Sequence, residues 1–178
     1  MTDAAAFAGR HVVLVGLMGT GKTTVGELLA ARLGRTLVDS DAVIEARTGR
    51  TVREIFAAEG EPAFRALETA ALTEALASPE PTVIAAAGGA VIAARNRRAI
   101  SESGAFVAWL DADVDVLSDR ATRGTHRPLL DGDAAATLRQ MAVDRAPLYR
   151  EVDTLRIDTT HRSPADVVDA IFNGAMEP

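Results

Sequence analysis

The sequence predicts an α/β fold, a five-stranded parallel sheet flanked by helices, and two observations carry that prediction. Short apolar β-like runs recur at Val12–Val15, Thr36–Val38, Thr82–Ala86, Ala105–Leu110 and Thr154–Ile157, separated by segments with apolar residues at helical spacing. Such alternation favours parallel pairing with helices on both faces, because each parallel return needs a crossover long enough to hold a helix. The second observation is a glycine-rich turn between the first run and the first helical segment.

Taken in order, His11-Val12-Val13-Leu14-Val15 is a β-branched run that reads as a buried first strand. Gly16-Leu17-Met18-Gly19-Thr20-Gly21-Lys22-Thr23 then completes the pattern G-x-x-x-x-G-K-[ST], and Thr23 to Leu33 continues at helical spacing. Glycines here let the backbone curl, so that successive N–H groups and the positive end of the next helix point at an anion. Lys22 is the one lysine among 19 basic side chains; the rest are arginine. A compact ammonium can bend over the loop onto the β- and γ-phosphates of a nucleotide, where a planar guanidinium would not fit. The Thr23 hydroxyl is expected on Mg²⁺.

Asp39-Ser40-Asp41 falls at the carboxyl end of the second strand, on the edge of an open α/β sheet where ligands bind. If the chain is extended there, the side chains of residues 39 and 41 point the same way, with Asp39 toward the magnesium hydration shell and Asp41 toward an acceptor hydroxyl. The triplet equally fits a helix N-cap at Ser40 or Asp41, and the two roles are compatible. Thr51-Val52-Arg53-Glu54 is a capping box, and Gly60-Glu61-Pro62-Ala63-Phe64-Arg65 opens a helix with Arg65 on its first turns. Arg65 alone also fits a solvated helix arginine. Gly88-Gly89 follows the third strand, where glycines let a substrate approach the backbone closely.

Asp113 can cap the next helix, and Ser163-Pro164-Ala165-Asp166 pairs an N-cap serine with a first-turn proline. Residues 121–136 join turn formers and charge with little periodicity, which reads as a lid beside the phosphate site. Arg120, Arg123, His126 and Arg127 concentrate positive charge there, as a transferring phosphoryl group requires. Arg145-Ala146-Pro147-Leu148-Tyr149 ends a helix, and Arg162 with Pro164 follows the last strand. Each arginine taken singly also fits a surface ion pair.

At 178 residues and 48% hydrophobic, the chain suits one domain over residues 1–178. A net charge of −6 argues against nucleic acid or an anionic membrane as the main partner, because either needs a broad basic surface. With no cysteine there is neither a disulfide framework nor a thiolate metal site. Met1 to Gly9 lacks the layout of a secretory leader, and no apolar run approaches the ~18 residues of a membrane span. The expectation is a cytoplasmic protein, monomeric for want of an apolar stripe.

The set as a whole resembles the shikimate kinases from Val12 to about Ile171. The residues that carry the resemblance are 16–26, Asp39-Ser40-Asp41, Gly60 to Arg65, Gly88-Gly89, Arg127-Pro128-Leu129-Leu130 and Arg145 to Tyr149, which agree in order and spacing. The resemblance implies a P-loop kinase of the nucleoside monophosphate kinase type, with a lid near 121–136 and a substrate-binding helical region near 40–70. It implies transfer of the ATP γ-phosphoryl to the 3-hydroxyl of shikimate, with ATP as co-substrate and Mg²⁺ at Thr23 and Asp39. Lys22, Asp41 and Arg127 are the implied catalytic residues, Asp41 holding and deprotonating the acceptor hydroxyl. Gly19, Thr20, Gly21, Lys22, Thr23, Thr24, Arg120, Arg127, Arg162 and Pro164 would bind the nucleotide. Phe56, Phe64, Arg65, Gly88, Gly89 and Arg145 would join Asp41 in binding shikimate, the two arginines clamping its carboxylate.

One departure concerns the turn after the third strand, where the family has three glycines and this chain has Ala87 first. If that position needs a positive φ, alanine strains it by about 1 kcal/mol. Two other readings compete. A kinase of another small carboxylated polyol such as gluconate shares the loop without the combined Arg65, Arg145 and Asp39-Ser40-Asp41 set. A nucleotide-binding switch has no use for Asp41 or the arginine clamp.

Overall fold

The computed structural model of the chain describes residues 6–123 and 133–176. Its elements are β1 (Val12–Val15), α1 (Lys22–Leu33), β2 (Leu37–Asp39), α2 (Ser40–Thr48), α3 (Val52–Leu76), β3 (Val83–Ala85), α4 (Ala94–Glu102), β4 (Phe106–Asp111), α5 (Val114–Arg123), α6 (Ala134–Arg150), β5 (Leu155–Asp158) and α7 (Pro164–Met176). The five strands form one parallel sheet in the order β2-β3-β1-β4-β5. All five β-like runs are strands, the first with the expected ends and the other four with ends shifted by one residue.

The two-residue strand period sorts the core into two layers. Val13, Val15, Ile84, Val107 and Trp109 face one way and pack with Leu72, Ile100, Leu138 and Tyr149. Val12, Leu14, Val83, Phe106, Ala108 and Leu110 face the other way, onto Val25, Leu29, Val167, Ile171 and Phe172. Leu14 is wholly buried, and such a side chain contributes about 1.5–3 kcal/mol by leaving water. Phe7 seals the second layer at the amino-terminal end of the sheet, edge-on to Phe106 and Phe172, and Arg35 donates to the carbonyls of Phe7 and Arg10.

A third, smaller cluster of Ile44, Ile55, Phe64 and Ala71 joins α2 to α3. The expected capping box is present at Thr51 and Glu54. Within α3, Gly60 is non-helical, with φ 79° and ψ 176°, so a second helical stretch starts there with Pro62 in its first turn. Asp113 and Ser163 cap α5 and α7 through the amides of Asp115 and Asp166. No helix among the described residues is long and apolar enough to cross a membrane. β1 lies between β3 and β4, so the chain leaves it toward one half of the sheet and later crosses to the other. The carboxyl ends of β1 and β3 therefore border the crevice in which ligands of such sheets bind.

Candidate functional site

The loop from β1 into α1 is curled by Gly16, Gly19 and Gly21, with φ of 144°, 84° and 93°. At Gly16 the requirement is also spatial, since a Cβ would overlap the Leu110 carbonyl oxygen. Lys22 Nζ folds back over the loop and donates to the carbonyls of Gly16 and Leu17 at 2.8 and 2.9 Å. Thr20 is a strut: its buried hydroxyl donates to the Leu17 carbonyl, and its own carbonyl accepts from Thr159 Oγ1. Thr23 Oγ1 donates to Asp39 Oδ2 at 2.7 Å.

The other oxygen of the Asp39 carboxylate caps α2, Oδ1 accepting from the amides of Asp41 and Ala42. The cap is thus Asp39, before both of the expected positions, Ser40 and Asp41, and because Ser40 is already helical the triplet is not extended. Asp39 and Asp41 nevertheless line one cavity, of about 210 Å³, with Gly19, Gly21, Lys22, Thr23 and Thr24 on one wall and Ala85 to Gly88 on another. A carboxylate on the first turn of a helix is favoured by the helix dipole, and Asp41 occupies that place. Its Oδ1 is shielded from solvent.

The two arginines of the expected clamp, Arg65 and Arg145, reach the Gly88-Gly89 turn from different helices. Arg145, buried on α6, donates through Nη1 to the Gly88 carbonyl at 3.1 Å, and Tyr149 Oη donates to the same oxygen at 2.7 Å. Arg65 donates from Nη1 to Glu68 Oε2 at 2.6 Å, and from Nε and Nη2 to Glu61. Burial raises the Glu68 carboxyl above its ordinary range, the Arg65 cation pulls it back, and the Asp41 carboxylate raises it further. A Cβ on Gly88 would lie 3.3 Å from the Gly16 oxygen and 3.8 Å from Arg145 Nη1, while one on Gly89 would overlap the Arg65 guanidinium. A side chain at Gly88 would press on the Gly16 carbonyl, and one at Gly89 would displace the Arg65 guanidinium. Ala87 needs no left-handed backbone: among the described residues only glycines have positive φ, so the strain considered for it does not arise.

Other residues of the expected set do not line the cavity. Phe56 and Phe64 pair with ring centres 4.7 Å apart in the α2–α3 cluster. Arg120 donates to the carbonyls of Gly19, Thr159 and Thr160, which ties the phosphate loop to the β5–α7 connection. Arg162 is exposed on that connection and Pro164 at the first position of α7. Arg127, with His126 and most of the expected lid, lies outside the described residues. Glu68 is absent from the sequence expectations and Tyr149 enters them only within the Arg145–Tyr149 motif, with no role, although each sits one helical turn after an arginine of the expected clamp, where spacing alone puts two side chains on one face.

The sheet order, the glycine loop after β1 and the carboxylate across the cavity define an α/β phosphate-loop protein of the nucleoside monophosphate kinase type. The chain belongs to the shikimate kinase family, whose profile matches residues 18–175. It is 50% identical over 170 residues to a shikimate kinase of Symbiobacterium thermophilum, an alignment spanning 94% of this chain and 97% of that protein. The structure of a shikimate kinase from Acinetobacter baumannii in complex with shikimate superposes with a TM-score of 0.90 at 38% identity, covering 96% of this chain and 95% of that one. A gluconokinase from Sinorhizobium meliloti, at 23% identity and a TM-score of 0.61 over 94% of this chain and 91% of its own, shares the fold alone.

Proposed function

We propose that this chain transfers the γ-phosphoryl of ATP to the 3-hydroxyl of shikimate, forming shikimate 3-phosphate and ADP on the route to chorismate and the aromatic amino acids. The observation that carries the reading is the meeting of Lys22 and Asp41 in one cavity whose glycine turn is flanked by Arg65 and Arg145. In this reading Lys22 leaves the loop carbonyls for the β- and γ-phosphates, and the amides of residues 19–24 cradle them. Asp41 orients the acceptor hydroxyl and takes its proton as the new P–O bond forms. The guanidinium forks of Arg65 and Arg145 hold the shikimate carboxylate, a pairing that suits a planar anion.

The hydroxyl of Thr23 and the carboxylate of Asp39 are hard oxygen donors joined at the cavity wall, a set that fits Mg²⁺ held mainly by nucleotide phosphates and water. When bound, the ion would neutralise phosphate charge. Arg127 would add charge from the lid, Arg120, Arg162 and Pro164 would border the base, and Phe56 and Phe64 would back the acceptor pocket. We assign all of this to one domain acting as a cytoplasmic monomer.

An ADP-release assay with shikimate, with gluconate and with no acceptor tests the proposal. Strong turnover confined to shikimate is expected. Equal turnover with gluconate, or release without any acceptor, would refute it.

A further inference from the structure

We infer that Tyr149 is a positioning residue for the acceptor site, its hydroxyl setting the Gly88 carbonyl and, through it, the Arg145 guanidinium. This rests on the proposed function and extends it to a residue with no assigned role. Tyr149 and Arg145 are one turn apart on α6, and both donate to the same backbone oxygen, at 2.7 and 3.1 Å. A carbonyl has two lone pairs, so the two donors together satisfy it. With Tyr149 holding that oxygen, Arg145 keeps its remaining N–H groups for a ligand carboxylate. Without the hydroxyl, Arg145 alone must anchor the turn and bind the ligand.

The anchor for this arrangement lies in the sheet. The Tyr149 ring is buried and stacked on Trp109 of β4, with centres 5.6 Å apart and planes 30° from parallel. Packing therefore fixes the ring and leaves its hydroxyl aimed at one place. Burial also pushes the phenol well above its ordinary range, which keeps it a donor. Gly88 in turn abuts the phosphate loop, because a Cβ there would meet the Gly16 oxygen at 3.3 Å and the Met18 amide at 3.5 Å. The Gly16 oxygen is one that Lys22 holds. The Gly88 carbonyl thus sits where the acceptor clamp and the phosphate loop touch, and a shift of this turn changes the spacing between them.

The competing reading is a buried phenol that merely found an acceptor. Tyr149→Phe separates the two, since phenylalanine keeps the ring stack and removes only the hydroxyl. We expect the shikimate KM to rise about three- to tenfold, the ATP KM to stay within about twofold, and the thermal midpoint to hold within a few degrees, as for the loss of one hydrogen bond. Emission from Trp109, the chain's single tryptophan, checks that the stack persists. In an Arg145→Lys background the same substitution should add little, because both changes act through one carbonyl. Equal rises in both KM values, additive effects in the double variant, or an unchanged shikimate KM would overturn the inference. Failure of the unsubstituted protein to phosphorylate shikimate would refute the proposed function itself and this inference with it.

Discussion

Asp41 occupies the first turn of α2, where the helix dipole favours a carboxylate and the Asp39 cap holds its amide. Asn keeps that size and can stay in place, but it cannot take a proton. Asp41→Asn is therefore expected to lose at least about a hundredfold in kcat, the usual worth of a general base, while nucleotide affinity changes little. Stopped turnover and equilibrium nucleotide binding measure the two separately, and a fully active variant would remove the acceptor role. The glycines show what a residue letter does and does not disclose. Gly16, Gly19 and Gly21 have the left-handed backbone that a phosphate-loop pattern implies. Gly88 and Gly89 do not, and what crowds them is distant in sequence: the Gly16 carbonyl at Gly88 and the Arg65 guanidinium at Gly89. No local pattern could have revealed it.

At the level of elements, the three inner strands were legible because buried parallel strands read as unbroken apolar runs, and the helix starts were legible wherever one residue alone could cap. Thr51 is such a case: its hydroxyl accepts the Glu54 amide and the Glu54 carboxylate accepts the Thr51 amide. Thr51→Ala should cost about 1 kcal/mol of unfolding free energy in urea titrations. A cost near zero would mean that the α2–α3 contacts hold this end unaided. The start of α2 was ambiguous for the opposite reason, because Asp39, Ser40 and Asp41 are all good caps. The sheet decides among them: β2 pairs with β3 through Asp39 opposite Ala85, which leaves Asp39 as the last extended residue.

Across the whole molecule, the site joins the β1–α1 loop, the start of α1, β2, α2, α3, the end of β3 with the turn after it, and α6, and each stretch had a legible motif while their meeting did not. Pairing of Glu68 with Arg65 illustrates the electrostatic outcome. A carboxyl raised above its ordinary value of 4.5 binds its proton more tightly folded than unfolded, so its contribution falls as pH rises through that window. Glu68→Gln has no such proton. Relative to the unsubstituted protein, the variant should gain stability on going from pH 5 to pH 8, as read by denaturant midpoints; a constant difference would show that the Arg65 cation cancels the effect of burial.

The lone ε-amine gives the molecule an unusual spectroscopic property. Protein grown with isotope-enriched lysine carries one enriched side chain, which lies on the phosphate loop, so its magnetic resonance spectrum needs no assignment. That signal should shift when nucleotide is added and move far less with shikimate alone. Indifference to nucleotide would mean that the ammonium never leaves the carbonyls it now holds.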